Sequence, residues 1–341
     1  MRRLQDQAID YNFILSGQHK HTIQDILANF SIEHEPDFVL YDGKDITGIV
    51  QMAKWAMDII QTYKNKKNTD IFRNDRNGIV LNHGDTFSTL LGSYLGKNHG
   101  LHSGHVESGL RSHNPFHPFP EELTRILTFR LSDYYYAPGE WAAGNLAKYS
   151  GNVINTGHNT LYDSLQYSPE VPQLQDNEPY GLISIHRFEN IFSRKQLSRI
   201  VNQLTDDRQH KIKKLFILHK PTEIKLKQYG LLKVLENCPD IELRPRYDYF
   251  TFISLLKSSE FLISDGGSNQ EECSYLGKPC FLMRKATERK EGLGKNVVLG
   301  QYDHQSYLDF IKNYQQYETT PLVLDQSPTD IIVDSIVEFK N

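Results

Sequence analysis

Residues 78–86 read Gly78-Ile-Val-Leu-Asn-His-Gly-Asp-Thr86, and this short run sets the pattern for the whole chain. Ile79, Val80 and Leu81 form an apolar run of strand length, and Gly84 then permits a tight turn that leaves Asp85 just past the strand's end. Runs of the same kind occur at 12–16, 100–102, 134–137 and 152–155, and again at 181–185, 215–218, 241–243, 261–264 and 279–283. Longer amphipathic segments separate them, which is the pattern of an α/β protein whose helices cover parallel sheets. The proline-rich, polar segment 166–180 has the composition of a linker. The expected division is therefore an N-terminal domain at 1–165 and a C-terminal domain at 181–320, followed by a final segment, 321–341. The charged run 63–77 reads as a solvated surface loop.

Composition narrows the function. A chain of 341 residues suits two cores. A formal net charge of -4 offers no basic field for a nucleic acid or an anionic membrane. Cys238, Cys273 and Cys280 form no CxxC pair, which argues against a disulfide framework and a structural zinc site and fits a reducing cytoplasm. Apolar runs stop far short of the roughly 18–20 residues that span a bilayer, and no apolar signal core follows Arg2 and Arg3. Neither GxGxxG nor GxxxxGK[ST] occurs, which argues against dinucleotide redox chemistry and P-loop phosphoryl transfer.

In parallel α/β sheets, ligands sit beyond the carboxyl ends of the strands. Asp85 falls there, and His105-Val-Glu107-Ser-Gly-Leu-Arg111 follows the run near residue 101. Pro115 and Pro118 keep the next stretch extended, and Pro120-Glu121-Glu122 reads as a first helical turn, where a carboxylate suits the helix dipole. A Glu-Glu pair at a helix start is ordinarily a surface feature, and His83 and His105 are individually satisfied core histidines. The conjunction points further: Asp85, Glu107 and Glu121 are expected to converge on one crevice, where shared charge would raise one of their pKa values into a range useful for proton transfer.

The second half supplies cations instead. His186-Arg187 and His219-Lys220 each follow a strand, as a diphosphate ligand would require. In Ile263-Ser-Asp-Gly-Gly-Ser-Asn-Gln-Glu-Glu272 a strand, a Gly-Gly turn and a helix succeed one another. Backbone amides at Gly266, Gly267 and Ser268 can cradle phosphate there, and Glu272 is placed to accept hydrogen bonds from ribose hydroxyls.

The motifs His83-Gly-Asp-Thr86, His105-Val-Glu-Ser-Gly-Leu-Arg111, Pro118-Phe-Pro-Glu-Glu122 with Arg125, Thr156-Gly157, His186-Arg-Phe-Glu-Asn190, Gln270-Glu-Glu272, Gly277-Lys-Pro279 and Thr287-Glu-Arg289 occur in a fixed order. In that order the chain resembles the UDP-N-acetylglucosamine 2-epimerase family from about Gly17 to Gly300. The resemblance implies two Rossmann-like domains in the GT-B arrangement, with the C-terminal helix crossing back to the first domain. It implies inversion at C2 of a UDP-N-acetylhexosamine through a 2-acetamidoglucal, without metal or other cofactor, by a cytoplasmic homodimer. Asp85, Glu107 and Glu121 would be the acid/base carboxylates, supported by His105, Arg111 and Arg125, and His186 would assist the leaving diphosphate. Phe252 would stack on uracil, with Arg187, His219, Gly266, Gly267, Ser268, Glu272 and Arg289 around the UDP. Gln18 and His19 resemble the family's activator site.

The sequence also departs from the family. The chain opens roughly in the helix that follows the family's first strand, and the Gly-Thr-Arg-Pro-Glu loop has no counterpart. The lack of that strand is expected to leave backbone groups unpaired on two neighbours. Asp265-Gly-Gly-Ser268 replaces the family's Asp-Ser-Gly-Gly. Four readings stay open: the non-hydrolysing epimerase, the hydrolysing enzyme that releases N-acetylmannosamine and UDP, a UDP-sugar binding protein without turnover, and a GT-B glycosyltransferase.

Overall fold

Strand and helix alternate along the chain, as the spacing of apolar runs requires. The computed structural model describes residues 1–18, 20–43, 49–65, 71–114, 120–168, 178–206 and 212–340. Two units emerge, Met1–Asp163 with Gln326–Asn341, and Ser164–Asp325.

The first unit opens with α1 (Arg2–Asp6), β1 (Ile14–Leu15), α2 (Lys20–Asn29), β2 (Phe38–Val39) and α3 (Ile49–Asn65). It continues through β3 (Ile79–His83), α4 (Phe87–His99), β4 (His102–Val106), α5 (Glu121–Leu131), β5 (Tyr134–Ala137), α6 (Glu140–Leu146), β6 (Asn152–Asn155) and α7 (Leu161–Tyr167). Strands β3, β4, β5 and β6 pair in that order, all parallel, and β1 pairs with β2 in a separate parallel sheet. No strand pairing joins β1 to β3 among the described residues, so each is an edge.

The second unit runs β7 (Tyr180–Ser184), α8 (Phe188–Ile191), α9 (Arg194–Thr205), β8 (Lys213–Leu218), α10 (Lys220–Tyr229), α11 (Leu232–Glu236) and β9 (Ile241–Pro245). Then come α12 (Tyr249–Ser258), β10 (Phe261–Ser264), α13 (Gly267–Leu276), β11 (Cys280–Leu282), β12 (Val297–Leu299) and α14 (His304–Asn313). Its sheet order is β12-β11-β10-β7-β8-β9, all parallel, so the order reverses between β7 and β10. The residues that follow those two strands share the crevice where such sheets bind ligands. β7 and β10 are buried on both faces, as central strands of a parallel sheet are. A core of Ile183, Phe216, Phe261, Ile263, Phe281 and Phe310 surrounds them.

The last helix, α15 (Pro328–Lys340), belongs to the first unit. Ile332 and Ile336 pack with Val106 and Tyr136, Ser335 donates to the Tyr136 hydroxyl, and Arg3 bonds Asp330.

Three readings of the sequence need correction. Residues 100–102 are not the strand that precedes Glu107. Gly100 is the left-handed cap of α4, at φ 87°, and the strand runs His102–Val106, which puts His105 inside it. Strands β2 and β12 give only two or three residues of signal and went unseen. The run 63–77 is no solvated loop throughout, because Tyr63, Ile71 and Phe72 are buried in the core built around Trp55 and Ile59. Residues 66–70, like most of the expected linker, lie outside the described residues. Replacing Ile71, which is 0% exposed, with alanine is expected to cost about 2–5 kcal/mol in denaturant unfolding. A change below about 0.5 kcal/mol would restore the surface-loop reading.

Candidate active site

In the first unit the turns after β3 and β4 carry the acids. Gly84, at φ +75°, turns the chain, and Thr86 then caps α4 by accepting from the Thr89 amide. Asp85 is held between. Arg125 donates to its Oδ2 at 2.5 Å, and the Thr124 hydroxyl bonds the carbonyls of both Asp85 and Glu121. One threonine thus ties the start of α5 to the Asp85 turn. Glu107 follows β4 directly at φ +66°, a left-handed conformation that costs a non-glycine residue about 1–2 kcal/mol. A Cβ at Gly84 would lie 3.8 Å from Glu107 Oε2, and His83 Nδ1 lies 3.7 Å from the same oxygen. Glu121 opens α5, and its Oε2 is buried with no hydrogen-bond partner among the described residues. Asp85 and Glu107 thus meet at the Gly84 turn, and Thr124 ties to it the first turn of α5, which carries Glu121. Pro115 and Pro118 lie outside the described residues.

His105 has a different task. Its Nε2 faces the Gly84 carbonyl at 2.7 Å, so this nitrogen must donate, and its Nδ1 accepts from the Ser108 hydroxyl at 3.0 Å. Burial pushes the imidazole down to about 4. It is a neutral strut for the Gly84 turn.

Glu122, indistinguishable in the sequence from its neighbour Glu121, is 0% exposed and lies between two cations. Arg111 bonds its Oε1, the Ser112 amide donates to Oε2 at 3.0 Å, and Arg125 Nη1 lies 3.5 Å from Oε2. Burial alone would raise its pKa, but the bonds from Arg111 and Ser112 and the charge of Arg125 hold it below the usual carboxylate range. The order Arg111, Glu122, Arg125, Asp85 is a continuous alternation of charge that ends on a candidate acid.

In the second unit β7 and β10 end at the switch point. α13 begins at Gly267, and no side chain caps it. The Gly266 amide is already bonded to Ser264 Oγ, which takes it out of the three amides expected to face phosphate. Only glycine fits at 267, because a Cβ there would meet Arg289 Nε at 2.8 Å. Arg289 is anchored by Glu271, and Arg187 reaches Glu189 at 3.1 Å and Glu288 at 3.8 Å. Arg284, which no motif marks, joins the cluster through Glu288, the middle residue of Thr287-Glu-Arg289, at 2.9 Å. Burial opposes ionisation of Glu288, but Arg284, Arg187 and Arg289 outweigh it and hold the carboxyl at about 2. Arg187, Arg284 and Arg289 are balanced by Glu189, Glu271 and Glu288, so what suits an anion here is the uncapped N-terminus of α13.

His186 and His219 lie in tilted contact at 4.7 Å between ring centres. Burial, then the neighbouring His186 and Arg246, push His219 down to about 4. Glu272 is buried and accepts from Asn269 Nδ2 at 2.8 Å, and its burial raises it to about 7 despite that bond. Phe252 is half-buried on α12. Gln18 Oε1 accepts from Ser88 at 2.6 Å, whereas His19 lies outside the described residues.

A sequence model of the family described as UDP-N-acetylglucosamine 2-epimerase matches residues 2–318. The chain belongs to this family. A UDP-N-acetylglucosamine 2-epimerase from Methanococcus maripaludis is 31% identical over 293 residues, which cover 82% of this chain and 77% of that protein. The Bacillus subtilis protein of the same name is 29% identical, over 84% of this chain and 74% of its own. Among solved structures, the Neisseria meningitidis epimerase bound to UDP-GlcNAc is similar at a TM-score of 0.79 and 26% identity, over 94% of this chain and 90% of that one. The α/β class with parallel sheets is thus the epimerase family's own.

The buried histidine gives a pH prediction. His105 stays neutral when folded down to about 4 but takes a proton near 6.5 when unfolded, so the unfolded state binds more protons as pH falls. The stability it contributes is complete above pH 6.5 and is lost between 6.5 and about 4, by about 3 kcal/mol. Denaturant melts of His105→Gln should lack that part of the acid slope. An identical slope in the variant would mean that His105 is not buried neutral.

Proposed function

We propose that this epimerase-family chain inverts C2 of UDP-N-acetylglucosamine without hydrolysis, giving UDP-N-acetylmannosamine. The observation that supports this most is the meeting of Asp85 and Glu107 at one glycine turn, to which Thr124 ties the helix start that carries Glu121. The C2 proton has no adjacent carbonyl to acidify it, so it must leave together with the anomeric group. A carboxylate takes the C2 proton, the electron pair forms the C1–C2 double bond, and the C1–O bond breaks onto the β-phosphate of UDP. The 2-acetamidoglucal then accepts a proton on its other face at C2 while UDP adds back to C1. Two proton-transfer groups are needed, one for each face, which three acids can supply. Thr124 and Arg125 orient Asp85 for this task.

The second unit supplies the leaving-group chemistry. Arg187, Arg289 and the α13 amides of Gly267 and Ser268 bind the diphosphate and take up its developing charge, with His186 assisting. Glu272 holds the ribose and Phe252 the uracil. No hydride moves, so the chemistry calls for no nicotinamide. Cys238, Cys273 and Cys280 are free and buried, in keeping with the reducing cytoplasm where nucleotide sugars are made.

The deciding experiment is proton NMR of UDP-N-acetylglucosamine with the protein in D2O. Deuterium at C2 with UDP-N-acetylmannosamine as product is the expected result, whereas free N-acetylmannosamine and UDP would identify the hydrolysing reaction. A C2 position that stays protiated while UDP binds would leave a binding protein only. Asp85→Asn, Glu107→Gln and Glu121→Gln should each lower the exchange rate about 10²-fold or more with melting curves kept. Wild-type rates in all three would remove the acids from the mechanism.

A further inference from the structure

Asp265 follows β10 at the switch point, is 0% exposed, and is encircled by donors. The His186 amide donates to it at 2.9 Å, the Arg187 amide at 3.0 Å and Asn190 Nδ2 at 2.8 Å, and His186 Nδ1 lies 3.5 Å from its Oδ1. Asn190 is also fully buried. Its Nδ2 spends a second hydrogen on the Met283 carbonyl at 3.0 Å, and its Oδ1 accepts from the Tyr302 hydroxyl at 2.8 Å. If the amide were turned over, its oxygen would face a carboxylate and a carbonyl, two acceptors, so these set the orientation that donates to Asp265, and the Tyr302 hydroxyl anchors the other end of the amide.

Tyr302 is itself held with some effort. Gln301 and Tyr302 stand at φ +47° and +62°, two consecutive left-handed non-glycine residues, closed by the Asp303 amide on the Gly300 carbonyl at 2.7 Å. Such strain persists where the surroundings over-determine it, and it concentrates at functional sites. Here Gln203 clamps the Tyr302 carbonyl at 3.0 Å, and Asp303 caps α14 directly after the turn. Burial, and then Glu189 and Asp265, push the phenol up to about 12, so it remains a donor.

We propose that Tyr302 and Asn190 are positioning residues that act through Asp265 on His186, fixing which ring nitrogen carries its proton and where the ring points. With Nδ1–H turned to the Asp265 carboxylate, Nε2 is left as the nitrogen that meets the ligand. Neither Tyr302 nor Asn190 touches the reacting atoms. Only the kinetic half of the proposal rests on the epimerase reading.

The test is Tyr302→Phe, which keeps the ring and deletes the hydroxyl. Side-chain 1H–15N spectra of histidine-labelled protein at about pH 8.5, above the usual histidine range, read the tautomer directly, with His186→Gln assigning the signal. The wild type should show His186 as the Nδ1–H form alone, and Tyr302→Phe should show the Nε2–H form as well. In an active enzyme kcat should fall about tenfold, the scale of one net hydrogen bond, with KM and the Kd of UDP within about twofold. If Tyr302→Phe does not fold, Gln203→Met, which frees the Tyr302 carbonyl from a helix outside the site, carries the same readouts. An unchanged tautomer, or an unchanged kcat in an active enzyme, overturns the proposal. A wild type without C2 exchange sinks the epimerase reading instead, and the spectrum alone then decides this one.

Discussion

A carboxylate taken out of water must be surrounded by donors or be neutralised, and each unit is organised around one that meets this demand. In the first unit it is Glu122, set between Arg111 and Arg125; in the second it is Asp265, set among two backbone amides and an asparagine. Neither is an expected reacting group. Each instead fixes the position of one that is, Asp85 through Arg125 and His186 through the loop that follows β7. Asp85 and His186 stay partly exposed, whereas Glu122 and Asp265, which hold them, are fully buried.

The parts of this design that were legible from sequence are those written locally. Strands β5, β6 and β10 are bounded by polar residues or turns on both sides, and their spans coincide with the apolar runs. Asp85 and Glu107 stand directly after strands, so the rule about carboxyl ends finds them. The remainder is nonlocal. Adjacent glutamates in a helix point about 100° apart, and nothing in Glu121-Glu122 says which one turns inward. Tyr302 and Asn190 are 112 residues apart in sequence and meet only once the sheet has formed. Ile71 and Phe72 sit among charges that hide them, and their burial follows from α3 and Trp55, not from their own neighbours.

Strain falls in informative places. Glu107 and the pair Gln301-Tyr302 are left-handed without being glycine. Each lies beside a group assigned to the reaction or to its support. Gly109, also left-handed, has no such option, since a Cβ there would meet the Ala142 carbonyl oxygen at 2.2 Å.

The first unit is discontinuous in sequence, and the second is inserted whole between its two pieces. During synthesis the second unit can therefore complete its six-stranded sheet while the first still lacks α15. Until α15 arrives, Val106 and Tyr136 have no cover from Ile332 and Ile336, and Val106 is the last strand residue before Glu107. Such contacts, about 200 positions apart in sequence, are late and slow to form. The nascent chain is thus able to build its second unit before the strand end that leads to Glu107 is covered.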